Sequence, residues 1–327
     1  MVERLVANEK VVGSSPIARS ILKVIKSNLI TLIFQKYLIN QDIRRFKGKF
    51  SYYIIFRLIR KFLTTDIIVS IYNFRVFGSI KKNKTSYYLL KKCEFGDNQE
   101  LETINKFSIK NKIMFIDCGC NYGFYSFYTA SLSKKNFVVS IEASKSTSEQ
   151  FKKNLKLNDF KNVILKNCAV SNTDNDYVLF NESNNDWESS QTHNKFKSFS
   201  VNKVNTLKID TLIKSININD FFPIIKMDVE GNEMNVLKGA TNFIERASPF
   251  IIIEISRYTF EDNNNVNYLK NFLLNYNYSI YNINKKKISI ENIMIKLNKL
   301  ENKYKTIGNY YLIKNSSKIL ENFISNE

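Results

Sequence analysis

The chain has 327 residues, 44% of them hydrophobic, with only 9 Gly and 3 Pro. That composition supports one α/β domain of roughly 200 residues plus an extension, and it excludes wholesale disorder and a low-complexity linker. The net charge is +19, and residues 1–92 hold 19 Lys/Arg against 4 Asp/Glu while the remainder holds 30 against 26, so the basic excess belongs to the N-terminal region.

Residues 1–19 show no period. Val11-Val12-Gly13-Ser14-Ser15-Pro16 reads like the TΨC arm of a tRNA gene translated as protein, so the native start is expected beyond it. No compact apolar core with a small-residue cleavage site marks a secretory signal. Residues 21–39 are apolar but interrupted by Lys23, Lys26, Gln35 and Lys36, which predicts an amphipathic helix rather than a membrane-spanning one. Residues 51–63 repeat the theme, with Tyr53, Phe56, Ile59 and Phe62 at helical spacing and Arg57, Arg60 and Lys61 between them. Two readings stand for these helices. They cap the main domain with solvated lysines, or they form a basic amphipathic surface suited to peripheral contact with an anionic membrane. Lys, Asn, Ile and Tyr abound together, so A/T-rich codon drift is a rival account of the basic excess. Residues 66–80 alternate loosely (Ile67, Val69, Ile71, then Phe74 and Val76) and predict a small β-hairpin.

Four cysteines occur, Cys93, Cys118, Cys120 and Cys168, with no C-x-x-C pair and a single histidine. A structural zinc site and a disulfide framework are thereby disfavoured, and the thiols fit a reducing cytoplasm.

The richest local pattern follows. Residues 113–116 form a short apolar run that reads as a buried strand, and it leads into Asp117-Cys118-Gly119-Cys120-Asn121-Tyr122-Gly123. A helical pattern then runs from Phe124 to about Leu132. Strand, glycine turn and helix open a nucleotide-binding βαβ unit. Gly119 and Gly123 allow a tight turn and a close ligand approach. The second strand, residues 137–141, ends at Glu142, where an acid can accept hydrogen bonds from ribose hydroxyls. A dinucleotide would place pyrophosphate over this turn, but Asp117 beside it would repel phosphate, and the G-x-G-x-x-G spacing is missing. S-adenosylmethionine carries a sulfonium and an ammonium, which a carboxylate attracts, so it is the expected cofactor in preference to NAD.

Residues 224–227 read as a central strand, with Asp228, Glu230 and Glu233 clustered at its carboxyl end. A further strand, residues 250–253, ends at Glu254 on the same edge. Ligands of doubly wound sheets bind outside the carboxyl ends of the strands, and several acids there would be costly without a task or a cationic partner. They could hold an acceptor hydroxyl, deprotonate it or bind a divalent ion.

The two stretches together resemble the FkbM family of methyltransferases, which pairs a D-x-G-A-N-x-G loop with a later K-x-D-x-E-G-x-E segment. Here they read Asp117-Cys-Gly119-Cys-Asn121-Tyr-Gly123 and Lys226-Met-Asp228-Val-Glu230-Gly231-Asn-Glu233. Glu100, Glu142, Asn154, Asn158, Asp210 within Thr206-Leu207-Lys208-Ile209-Asp210, Glu254 and residues 308–312 fall in matching order. Cys120 replaces the usual Ala, and the Asn/Ser-rich residues 172–200 match poorly. The resemblance covers roughly residues 94–315. It implies a doubly wound α/β fold, a Rossmann-like methyltransferase sheet of seven mostly parallel strands. It also implies S-adenosylmethionine as cofactor and usually a hydroxyl oxygen as acceptor, often on a glycan or secondary metabolite. The expected organisation is a basic extension over residues 1–92 and a methyltransferase domain over residues 93–327.

Methyl transfer asks the chain to hold donor and acceptor about 3 Å apart and to remove a proton. Asp117, Gly119, Asn121, Gly123 and Glu142 are expected to hold the cofactor. Asp228 and Glu230 are expected to face the acceptor, one of them as base, with His193 an alternative base. No residue is assigned as a metal ligand, although a raised pKa or a metal would help so weak a base. The expected partner is a small-molecule or glycan acceptor. Nucleic acid is not expected: no basic-aromatic motif is present, Pro16, Pro223 and Pro249 are isolated, and no Pro-Cys pair exists. The rival readings are an RNA ribose O-methyltransferase and a non-catalytic, membrane-tethered binding module of the same fold. The expected compartment is the cytoplasm or the inner face of its membrane, and the oligomeric state is left open.

Overall fold

A computed structural model describes residues 29, 31–38, 41–59, 67–78, 84–183, 198–300, 308–317 and 323. The expectations about residues 1–19 and about His193 lie outside the described residues. The chain divides into two compact units, Met1–Gly96 and Asp97–Glu327.

In the first unit, residues 31–38 are helical. A 3-10 turn follows at Ile43–Phe46, where the Asp42 carboxylate accepts from the Arg44 amide. Helices span Phe50–Ile59 and Lys84–Lys92. The expected hairpin is present as β1 (Ile67–Ile71) and β2 (Phe74–Gly78), paired antiparallel with Val69 opposite Val76. Alternation explains it: Ile67, Val69 and Ile71 point inward and are buried. An aromatic seam joins Phe34, Phe46, Tyr52 and Phe56, and the Tyr52 hydroxyl donates to the Leu90 carbonyl at 2.8 Å.

The second unit is built on a seven-stranded sheet of order β11-β12-β10-β9-β3-β4-β5. Its strands are β3 (Ile113–Cys118), β4 (Phe137–Ile141), β5 (Val163–Lys166), β9 (Phe222–Met227), β10 (Phe250–Ile255), β11 (Tyr278–Asn282) and β12 (Gly308–Lys314). All neighbours are parallel except β12, which runs antiparallel to both β10 and β11. β3 is buried along its whole length, as a parallel strand covered on both faces should be, which is why it reads as an unbroken apolar run.

The two faces separate cleanly by alternation. Met114, Ile116, Ile225, Ile251 and Leu312 pack into one core with Val236, Phe243, Leu269 and Ile293 from the helices after β9, β10 and β11. On the other face Phe115 stacks with Tyr125 of the helix Phe124–Leu132, and Phe250 meets Phe107 of the helix Asn98–Lys110. The sheet is thus doubly wound. From β3 the chain winds outward through β4 and β5, then returns to β9 on the opposite side of β3. The crevice between the carboxyl ends of β3 and β9 is therefore the topological switch point, where such sheets bind ligands.

The strands β6 (Ala169–Val170), β7 (Tyr177–Ser183) and β8 (Ser198–Leu207) form a second, three-stranded ribbon of order β6-β8-β7. Its frequent Asn and Ser surround a short apolar run, Tyr177-Val178-Leu179-Phe180, whose partner strand lies some twenty residues on.

Candidate active site

The loop after β3 is shaped by its glycines. Gly119 adopts φ +78°, and a Cβ there would sit 1.9 Å from the Asp228 carbonyl oxygen. Only glycine lets the loop cross the end of β9. Gly123 adopts φ +91°, and a Cβ would press into the rings of Phe127 and Phe151. Asn121 holds φ 49°, a left-handed value that Asn tolerates.

The amides of this loop are consumed internally. Gly119 and Cys120 both donate to the Ile141 carbonyl, at 2.9 and 3.0 Å, and Gly123 donates to the Cys120 carbonyl at 2.9 Å. The Asn121 amide donates to Glu142 Oε2 at 2.9 Å, and the Tyr122 amide to Asn121 Oδ1 at 2.8 Å. Asn154, fully buried in the helix Lys145–Asn158, donates to the Tyr122 carbonyl at 3.1 Å. Every amide from Gly119 to Gly123 is thus engaged, so the turn offers no open cradle of N–H groups to a phosphate.

Carboxylates surround the switch point instead. Asp117 stands level with Lys226 across β3 and β9, is 1% exposed, and accepts from Ser126 Oγ at 2.6 Å. Burial, only partly offset by Lys226 and Ser126, pushes its carboxyl up to about 6. Glu142 is nearly buried, and its Oε1 accepts the Ser144 amide at 2.8 Å. Burial outweighs its two amide donors and pushes it up to about 7. Asp97 accepts from the Tyr125 hydroxyl at 2.9 Å, and buried Glu100 accepts from Asn309 Nδ2 at 2.8 Å. Burial raises both, with Asp97 adding repulsion at Glu100.

Lys226 is the cation among these acids. Its side chain is 3% exposed and its Nζ lies 2.7 Å from Asp228 Oδ2, with the Tyr125 ring centroid 4.7 Å away. Burial works against its charge, but Asp228 and Asp117 more than offset that and hold its pKa above the ordinary lysine value. Lys226 in turn overcomes burial at Asp228 and holds that carboxyl below the ordinary range. Glu254 lies beside it. Burial, then the charges of Asp228 and Glu230, push Glu254 well up. Oxygens of Asp228, Glu230 and Glu254 all fall within 4.8 Å of one another, a spacing that divalent-ion ligands also adopt.

The turn after β9 has its own fixtures. Glu230 takes φ 51° and Gly231 φ 102°, and a Cβ on Gly231 would meet Tyr258 Cβ at 2.9 Å. Glu233 is 1% exposed, and its Oε1 accepts the Gly231 amide at 3.0 Å. It closes the turn at the start of the helix Glu233–Lys238. Asp210 is likewise structural: it accepts the amides of Asn242 and Phe243 at 3.1 and 2.9 Å and so caps the helix Thr241–Ala247. Beyond Glu142, Ala143, Lys145, Asn167 and Asn202–Asn205 line a groove of about 610 Å³.

Of the expected site residues, Asp117, Gly119, Asn121, Gly123 and Glu142 come together around one turn, and Asp228 and Glu230 stand across the crevice. Asp117 is buried beneath the turn and not open on its surface. Asp97, Tyr125 and Lys226 join the site without an expected role, and Glu254 was expected only as one of the acids on this sheet edge. Lys226 and Glu254 were legible as motif and strand-end residues. Asp97 was not, because Asp-Asn-Gln-Glu before a helix reads as an N-cap, whereas its side chain makes no cap bond and binds Tyr125.

A seven-stranded sheet of this order, with a glycine turn and carboxylates at its switch point, is that of a Rossmann-like methyltransferase. The methyltransferase FkbM domain matches residues 117–280, half of the chain, and the chain belongs to that family. No curated protein matches it. Among solved structures, the methyltransferase FkbM from Methylobacillus flagellatus KT is 18% identical, with 70% of this chain and 52% of that one covered and a TM-score of 0.38. The chain therefore spans about half the length of that protein. TYW2 from M. jannaschii, in complex with AdoMet, is 14% identical over 76% of this chain and 84% of that one, with a TM-score of 0.38. The O-methyltransferase from Bacillus cereus, in complex with SAH, is 14% identical over 68% and 82%, with a TM-score of 0.39.

Proposed function

We propose that this protein transfers a methyl group from S-adenosylmethionine to a hydroxyl oxygen of a small-molecule or glycan acceptor. The observation that carries the cofactor is the Gly119–Gly123 turn: its amides are all engaged, and buried carboxylates surround it. That arrangement repels pyrophosphate and suits a ligand bearing a sulfonium and an ammonium. Bound there, S-adenosylmethionine supplies an electrophilic methyl carbon. Gly119, Asn121 and Gly123 shape the turn against it. Glu142 fixes the turn through the Asn121 amide and keeps lone pairs for ribose hydroxyls, and the groove beside it suits the nucleoside. Asp117 contributes its charge from below.

The acceptor lies across the crevice. Asp228, kept ionised by Lys226, accepts the hydrogen bond of the acceptor hydroxyl and orients it, with Glu230 beside it. Glu254 has the greater proton affinity of the Asp228–Glu254 pair, so once ionised it is the stronger base. Lys226 and the retained proton offset part of this acidity, and the reading assigns no metal. His193 is the alternative base.

Calorimetry with S-adenosylmethionine and with NAD tests the cofactor; NAD binding with no response to S-adenosylmethionine refutes it. Labelled-methyl transfer to panels of glycans, hydroxylated metabolites and RNA tests the acceptor, and label in RNA alone refutes that part. Asp228→Asn should cut turnover ~100-fold or more while sparing cofactor binding. Turnover should rise with pH through the Glu254 ionisation, and Glu254→Gln should remove that rise. Full activity in Asp228→Asn, a requirement for a divalent ion after chelation, or inactivity of His193→Ala would each overturn its part of the assignment.

A further inference from the structure

The helix Phe50–Ile59 is apolar on two opposite sides. It buries Tyr52 and Phe56 in the first unit. At 100° per residue, Phe50, Ile54 and Leu58 form an i, i+4, i+8 stripe centred opposite that buried pair. They are 78%, 42% and 65% exposed. The helical residues 31–38 repeat the arrangement. Phe34 and Leu38 are buried, while Leu29, Leu32 and Ile33 are 46%, 56% and 60% exposed. A helix of a water-exposed domain carries polar residues on its outer face, so an apolar stripe there marks an interaction surface. The two helices are neighbours through the Phe34–Tyr52 ring contact at 6.3 Å.

The charge around the stripes selects the partner. Residues 29–59 carry Lys36, Arg44, Arg45, Lys47, Lys49 and Arg57 against a single acid, Asp42. Arg44 pairs with Asp42, and Lys47 with Glu94. Lys36, Arg45, Lys49 and Arg57 engage no carboxylate among the described residues. Two copies of this chain meeting at this face would set cation against cation, which costs association. A bilayer with acidic headgroups supplies both complements: acyl chains for the stripes and phosphates for the flanking cations. At 10 residues the Phe50–Ile59 helix is about 15 Å long, half the roughly 30 Å of a bilayer core, and its buried side ties it to the unit. Its mode is to lie along the interface. Among the described residues no helix is long and apolar enough to cross a membrane.

We infer that the outer faces of Leu29, residues 31–37 and Phe50–Ile59 form a docking surface for an anionic lipid bilayer. The test is co-sedimentation of the full chain with phosphatidylcholine vesicles and with vesicles containing ~30 mol% phosphatidylserine. Binding to the acidic vesicles, weakened by salt and reduced ~10-fold or more in Ile54→Glu/Leu58→Glu, is the expected result. Both positions are exposed, so the melting midpoint and S-adenosylmethionine binding of that variant should match the parent. Absence of vesicle binding overturns the inference. So does binding unchanged by the double substitution, equal binding to both vesicle types, or a dimer that the substitution dissolves without any effect on vesicle binding.

Discussion

Replacing Lys226 with Met removes the only cation that the described residues place in a buried group of acids. The ammonium lies 2.7 Å from Asp228 and 4.7 Å from the Tyr125 ring, and its charge offsets burial at Asp117 and Asp97. Removing one partner of a buried ion pair costs ~3–5 kcal/mol, which in a unit of this size lowers the melting midpoint by ~6–20 °C. The loss should depend on pH, and its sign follows from Asp117. That carboxyl sits at about 6 in the folded protein, above the ordinary aspartate value of 3.8, and it rises further once Lys226 is gone. A carboxyl raised by folding binds a proton that the unfolded chain has already released. Its contribution to stability is fully present below the unfolded pKa and is lost as pH rises through the folded one. The parent and Lys226→Met curves should therefore lie closest near pH 5 and furthest apart near pH 8. Adding Asp228→Asn should recover part of the loss by removing the carboxylate left unpaired. Thermal melts of the three proteins across that range decide it. An unchanged midpoint, or a gap of the same size at both ends of the range, would refute the role given to Lys226.

Three further predictions follow from particular contacts. Gly119→Ala forces a Cβ to 1.9 Å from a backbone oxygen at φ +78° and should cost ~3 kcal/mol or more, with loss of S-adenosylmethionine binding. Gly96→Ala, with nothing within 4 Å, should melt like the parent, and the pair is compared by melting and calorimetry. Asp210→Ala should lose ~1–2 kcal/mol of stability in urea titrations through the uncapped helix, with turnover per folded molecule unchanged. Binding of S-adenosylmethionine should release protons and tighten as pH rises through the values of about 6 and about 7 held by Asp117 and Glu142, because a bound cation favours their ionised forms. Calorimetry in buffers of different ionisation heat checks this, and proton uptake would contradict it.

Much of the fold was legible because its central strands are buried on both faces. Residues 113–116, 137–141, 224–227 and 250–253 announce themselves as apolar runs, and the structure only extends them, as in β3 to Cys118 and β10 to Ile255. The β7–β8 ribbon was not legible, since its polar composition masks the short apolar run and its pairing is non-local. The glycine turn was legible in kind. Its internal satisfaction was not, because the Ile141 carbonyl, Glu142 and Asn154 that complete it come from the strand and helix after it. Lys226 illustrates the same limit. A lysine inside an apolar strand reads as an exception in one dimension, and its ion pair with Asp228 and its register with Asp117 show what it neutralises.

The placement of Asp117 bears on how the site selects its ligand. A carboxylate open on the turn would attract any cation, including solvated metal ions. Held beneath the turn by Ser126, Asp117 acts only through its field, and burial leaves it part-protonated near neutral pH. A ligand whose positive charge replaces that proton gains from every buried acid at once, whereas a phosphate meets repulsion and finds no free amide between Gly119 and Gly123. On the proposed reading, the discrimination rests on the balance between burial and Lys226. The Lys226→Met variant tips that balance by a known sign: its remaining acids hold their protons more tightly, so the pH at which S-adenosylmethionine binding strengthens should move upward. A binding curve that keeps the parent's pH dependence would separate the buried acids from ligand choice and leave the turn's shape as the sole determinant.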